Sequence, residues 1–183
     1  MNMKITKEIF AFSDTHGRHR QMTIPEETQI LICVGDAVDD QLDPEQYKDF
    51  LDWFEEQPGR HKIYVPGDSE LIFDLCPDYA RQLFKDRDIT IALDEVVDCD
   101  GTTFYCLRGP EIPEEGLQKM KETDYFVTHY PVEDLLPDVE IFPNAIIHGH
   151  DHGMGPAVCI NSAVPIWNVS RHSRLFPEEY PEE

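Results

Sequence analysis

Ile30-Leu-Ile-Cys-Val34 runs without a break into Gly35-Asp36-Ala37-Val38-Asp39. Five consecutive apolar residues cannot alternate between a wet and a dry face, so the run is expected as a strand covered on both sides. A glycine and two aspartates then fall at its carboxyl end. The same order recurs four times along the chain. Ile9–Phe12 leads into Ser13-Asp14-Thr15-His16-Gly17, and Ile63–Val65 leads into Pro66-Gly67-Asp68-Ser69-Glu70. Tyr125–Val127 leads into Thr128-His129-Tyr130-Pro131, and Ala145–Ile147 leads into His148-Gly149-His150-Asp151-His152-Gly153. In open α/β sheets, ligands bind in the crevice beyond the carboxyl ends of the strands.

Further strand-like runs are Thr103–Leu107 and Ala157–Ile160. Between the second and third runs, Tyr47, Phe50, Leu51 and Phe54 recur at spacings of three and four, which is the period of a helix laid on a sheet. Asp43 reads as its N-cap, Pro44 as its first helical residue, and Pro58-Gly59 as its end. A second helix is expected over Pro77–Asp86 and a shorter one over Glu114–Lys121. Strand–helix alternation followed mostly by strands predicts one domain of sheets flanked by helices, residues 1–176. The acidic, proline-punctuated tail 177–183 is expected to fray. No internal repeat is found. Trp53 and Trp167 read as core residues.

Fifteen basic against 37 acidic residues give a net charge of -22 over 183 residues. Nucleic acid and anionic membrane surfaces both require a positive face, so neither is an expected partner. No apolar run approaches a membrane span, and Met1–Phe10 lacks a signal-peptide pattern, so a cytoplasmic location is expected. Five cysteines without a CxxC pair suggest neither a disulfide framework nor a zinc knuckle. Cys33, Cys99, Cys106 and Cys159 read as small hydrophobes in a reducing compartment.

Residues two apart in extended chain point to one side, so Asp14 with His16, and His150 with His152, can converge on a point. Carboxylate and imidazole without thiolate suit a divalent metal such as Mn, Fe, Zn or Ni. The ordered series Asp14-x-His16, Gly35-Asp36-x-x-Asp39, Gly67-Asp68, His129 and Gly149-His150-x-His152 resembles the calcineurin-like metallophosphoesterase signature. It is similar to the small single-domain branch of that family. Ile24-Pro25, Ile30–Asp36, Lys62–Glu70 and Phe73-Asp74 carry this second likeness.

The resemblance implies a four-layer α-β-β-α sandwich of two mixed sheets flanked by helices. It also implies two divalent metal ions, manganese before iron, zinc or nickel. The first would be held by Asp14, His16, Asp36 and His152. The second would be held by Asp36, Asp68, His129 and His150. A hydroxide shared by the two metals would hydrolyse a small phosphomonoester or phosphodiester, needing no separate general base. Asp39 and His148 would orient ligands, and Arg18, Arg108 and Arg171 are candidate phosphate contacts, as His148 is for substrate. Asn161-Ser162 or Asn168-x-Ser170 would supply the family's closing strand near the metals.

The third block departs from the family pattern. Asp68 stands where the family has asparagine, and Ser69 where it has the histidine that protonates the leaving oxygen. General acid catalysis contributes roughly 10²–10⁴-fold. Weak turnover of alkyl esters and better turnover of aryl esters follow, with Ser69 at the catalytic position and His19, His61 or His172 as replacement acids. Two other readings stand beside this one: a catalytically impaired domain serving as a protein-binding scaffold, and a metal-dependent hydrolase of another bond. Substrate and oligomeric state are not set by the sequence, although few insertions between blocks imply an open site.

Overall fold

In the computed structural model, residues 8–40, 42–132, 143–159 and 164–181 are described. Strands β1 (Ile9–Phe12), β2 (Ile30–Cys33), β3 (His61–Tyr64) and β4 (Thr90–Ile91) form one sheet in that order. Strands β5 (Asp94–Cys99), β6 (Thr102–Leu107), β7 (Tyr125–Thr128), β8 (Ala145–His148), β9 (Ala157–Cys159) and β10 (Ile166–Asn168) form a second, ordered β5-β6-β7-β8-β10-β9.

The alternation of side chains along each strand builds the layers. In β2, Leu31 and Cys33 face an outer core with Phe12, Tyr47, Phe50, Phe54 and Phe84. Their neighbours Ile30, Ile32 and Val34 face the second sheet, where they meet Phe104, Cys106, Val127 and Ile147. On the far side, Tyr105, Phe126 and Ile146 pack with Met120. Helix α1 (Pro44–Glu56) covers the first sheet with α2 (Ile72–Leu75) and α3 (Pro77–Phe84); α4 (Glu114–Glu122) covers the second. The expected four layers are present.

Within this agreement several details differ. The first sheet is parallel throughout, and only the second is mixed. Each connection in the first sheet carries the chain back to the starting end, as parallel neighbours require. Strand β5 has no counterpart among the strand-like runs, because Asp94, Glu95 and Asp98 hide its pattern. It is joined to β6 by Asp100-Gly101, both at positive φ (53° and 90°), the dihedral signs of a tight hairpin turn. Cys33, Cys99 and Cys106 are buried, but Cys159 is exposed because β9 is an edge strand. Trp53 is in the outer core, and Trp167 packs half-buried against the inter-sheet core. Asn161-Ser162 and Ile160 lie outside the described residues.

Part of the acidic tail is described, to residue 181. Pro177–Glu179 form a short 3-10 turn rather than a frayed end. Glu178 pairs with Arg18 at 2.7 Å, and the Tyr180 hydroxyl lies 3.0 Å from His172 Nδ1. Among the described residues, no helix is long and apolar enough to cross a membrane.

Candidate metal centre

The five polar loops leave the carboxyl ends of β1, β2, β3, β7 and β8, and parallel pairing puts these ends on one side of the molecule. Among the described residues, six non-glycine residues have positive φ, and four of them are Asp14 (57°), His16 (40°), Asp36 (53°) and His150 (66°). The left-handed region costs a non-glycine residue roughly 1–2 kcal/mol. That cost is concentrated in candidate donor residues, and strain of this kind clusters at functional sites. Gly35 and Gly67 make the approach possible. A Cβ on Gly35 would strike the backbone of Gly67, and one on Gly67 would strike Asp36 Oδ1 and the His129 ring.

Two groups of donor atoms are built from the sequence-derived candidates: Asp14, His16, Asp36 and His152, and Asp68, His129 and His150; a third, His16, His152 and His172, shares two residues with the first. In the first, His152 Nε2 lies 3.1 Å from Asp14 Oδ1 and 3.4 Å from His16 Nε2, while His16 Nε2 lies 3.8 Å from Asp36 Oδ2. In the second, His129 Nε2 lies 2.9 Å from Asp68 Oδ1, and His150 Nδ1 lies 3.3 Å from both. Asp36 Oδ1 stands 3.5 Å from His129 Nε2 and so links the groups. Donors about 2.1 Å from one ion stand about 3.0–3.4 Å from one another in octahedral or tetrahedral arrangement. The observed spacings fall near that range, and the donors are imidazole and carboxylate without thiolate. The residues fit divalent cations.

Electrostatics keep the donors in place. Burial disfavours charge on Asp14, but the bond to His152, the charge of His129 and the Ser13 hydroxyl outweigh it and hold the carboxyl low. Burial raises Asp36. The hydrogen bond with His129 holds Asp68 well below the usual carboxylate range. Burial also opposes charge on His129, yet Asp68, Asp36 and Asp14 lift its pKa to about 9. His129 Nδ1 donates to the Val34 carbonyl at 2.7 Å, which leaves Nε2 for the cluster.

All seven sequence-derived ligand candidates therefore meet. The others are placed differently. Ser69 donates its N–H to Asp36 Oδ1 and its hydroxyl to Asp36 Oδ2, both at 3.0 Å, and so braces that carboxylate. Asp39 is exposed in a cleft beside His16, and its carboxylate makes no hydrogen bond among the described residues. His148 is 2 % exposed and its Nδ1 donates to Gly149 O, too buried to meet substrate from solvent. Arg18 is engaged by Leu175 O and Glu178, with its guanidinium 3.7 Å from the centre of the Phe176 ring. Arg108 is held by both oxygens of Asp74 and lines a cleft with Gly67, Asp68 and Tyr130. Asn168 and Ser170 lie at the closing strand, where Asn168 donates to Asp151 O and Ser170 bridges Ser13.

Two roles have no counterpart in the sequence reading. Glu70 is fully buried and accepts N–H bonds from Asp36 (2.9 Å), Ala37 (2.8 Å) and Gly67 (2.5 Å), tying two ligand loops together. Its position one residue beyond Ser69 is the only signal the sequence offers. His172, on α5 (His172–Leu175), stacks on His152 with centroids 4.0 Å apart and planes 6° from parallel. Phe176 stacks on the other face of His172 at 4.3 Å. Parallel rings cannot aim their in-plane lone pairs at one nearby ion, so His172 braces His152. Of the other two replacement acids, His61 pairs with Asp100 at the opposite ends of the strands, and His19 is buried against Asp49, Phe50 and Trp53.

The family model described as calcineurin-like phosphoesterase matches residues 7–154. The chain belongs to that family. Calcineurin-like phosphoesterases use divalent metals, and the match covers every donor in both groups. Among curated protein sequences, none matches. Solved structures of similar fold include the following two. Phosphopantetheinyl hydrolase from Mycobacterium tuberculosis is 14% identical with a TM-score of 0.63, over 95% of this chain and 93% of that one. TT1561 of Thermus thermophilus is also 14% identical with a TM-score of 0.63, over 87% of each chain.

Proposed function

We infer that this protein hydrolyses a small phosphomonoester or phosphodiester with two divalent cations at the linked donor groups. The observation that supports this most directly is the convergence of seven imidazole and carboxylate donors from five strand ends, with Asp36 standing between the two sets. Asp14, His16, Asp36 and His152 would hold one cation; Asp68, His129 and His150, with Asp36, would hold the other. When bound, such a pair acidifies water to a useful nucleophile near neutral pH and offsets charge growing on the phosphoryl oxygens.

The protein's own residues set the rest. Two clefts flank the cluster. The one beside His16 carries Asp39, Glu45 and Asp49 against one arginine, Arg18, which Glu178 already pairs, so it is acidic on balance. The one beside Asp68, of about 430 Å³, carries Arg108 and Tyr130. A guanidinium fixed by Asp74 presents a pre-oriented cation to a phosphoryl group there. The Ser69 hydroxyl is committed to Asp36, and no imidazole takes the place of the family's leaving-group acid. The leaving oxygen departs without that proton, which favours aryl over alkyl esters.

Metal analysis combined with hydrolysis of aryl and alkyl phosphoesters in manganese tests this reading. The expected result is about two ions per chain, chelator-sensitive aryl ester hydrolysis, and a gain confined to alkyl esters in Ser69→His. Fewer than two ions with no hydrolysis would return the chain to the scaffold reading.

A further inference from the structure

The chain has eight arginines, at positions 18, 20, 60, 81, 87, 108, 171 and 174. The first six each hold a carboxylate. Arg171 and Arg174 have no carboxylate partner among the described residues, in a protein of net charge -22. Both line one cleft, of about 360 Å³, at the side of the sandwich where edge strand β1 faces β9 and β10. Its walls are apolar: Ile9, Ala11, Ile147, Val158 and the Trp167 ring.

Two further observations bear on the same cleft. Arg171 Nε and Trp167 Nε1 are both buried with no hydrogen-bond partner. Buried polar groups are normally satisfied, so two residues that line one apolar cleft each carry an unsatisfied donor. The guanidinium of Arg171 sits 5.1 Å from the centre of the Phe10 ring. Burial, then the neighbouring charge of Arg174, lowers Arg171 to about 10, so the two cations are short of a counter-charge.

We propose that this cleft binds a small amphiphilic anion, its apolar body against Ile9, Ala11, Val158 and Trp167 and its carboxylate or phosphate head on Arg171 and Arg174. The volume falls within the range of small-molecule sites, roughly 300–1,000 Å³. Arginine forks suit both head groups. The net acidity of the chain disfavours a polyanion or an anionic membrane as the occupant. None of the seven metal-donor residues lines this cleft, so binding there does not depend on the proposed hydrolysis.

Isothermal calorimetry with decanoate, in chelator, tests the proposal, with decanol and decyltrimethylammonium as neutral and cationic controls. Decanoate is expected to bind at one saturable site and to change the fluorescence of Trp167. Arg171→Met/Arg174→Met is expected to weaken it at least tenfold, and the cationic control should not bind. Arg174 is exposed, so Arg174→Met alone should keep the wild-type melting temperature and still lose affinity severalfold. Anionic lipid vesicles should leave the protein unbound. Absence of saturable decanoate binding, equal binding of all three head groups, or undiminished affinity in the arginine variants would overturn the proposal. So would vesicle binding that the double variant loses.

Discussion

His129 is pulled from two sides. Its Nδ1–H is fixed on the Val34 carbonyl, while Nε2 faces Asp68 at 2.9 Å and Asp36 at 3.5 Å. These carboxylates overcome burial and lift the imidazole to about 9, against an ordinary 6.5. Below pH 9 the metal-free ring therefore carries a proton on the nitrogen that a cation must take. Metal affinity should climb with pH by about tenfold per unit for one displaced proton, levelling above about 9. Calorimetry in two buffers of different ionisation heat should register at least one proton released per chain at pH 7; zero release would contradict the assignment of Nε2. Glu70 acts by a different route. Its two oxygens satisfy three buried backbone donors, and glutamine can offer only one acceptor oxygen. Glu70→Gln should lower unfolding stability by about 2–4 kcal/mol, from one or two N–H groups left unpaired. The denaturant midpoint of metal-free protein measures this apart from any change in activity.

At the scale of elements, the C-terminal segment is more closely tied to the metal centre than its composition suggests. Arg18, Phe176, His172 and His152 form one continuous stack, in which Glu178 holds the outer Arg18 and Tyr180 holds the inner His172. His152 has a one-third exposed side chain and lies in a turn beyond β8, where Asp14 and His16 meet its Nε2 and the stack fixes the face of its ring. His172→Ala should weaken divalent-cation binding at the Asp14, His16, Asp36 and His152 group about tenfold, whereas His172→Phe, which keeps the stack but removes both nitrogens, should restore it. Equal loss in both variants would instead make His172 a ligand. The sequence alone describes the last residues as a frayed tail, because Pro177 and four glutamates speak of solvation and say nothing of a partner 160 residues away. The inner strands are legible because double-sided burial writes itself as runs such as Ile30–Val34. So is α1, whose Asp43 side chain caps Glu45 N at 2.9 Å as its residue type predicts. The edge strand β5 is not, since a strand wet on one face need not be apolar; Asp100-Gly101 is its one local mark. The convergence of the seven donors is legible for the same reason as the inner strands. Each donor sits at a fixed offset after a buried run, whereas the bracing by Ser69, Glu70 and His172 depends on tertiary contacts.

For the molecule as a whole, the charge of -22 sets the approach of any anionic substrate. Cations bound as proposed, with Arg108, would make the donor cluster locally attractive, but beyond a few ångströms the field belongs to the surrounding carboxylates. The reach of that field falls from about 30 Å at 0.01 M salt to about 8 Å at 0.15 M. At low salt the whole acidic surface repels an incoming aryl phosphate; at high salt only the site is felt. For an aryl monoester, kcat/KM should therefore rise severalfold over that range while kcat changes little, the reverse of the usual loss for a steered substrate. A singly charged diester should rise less, because the repulsion scales with substrate charge. Steady-state kinetics with both esters at constant manganese separates this field effect from metal binding. A fall in kcat/KM with salt would mean that the local positive field extends past the cleft and governs encounter despite the acidity of the chain.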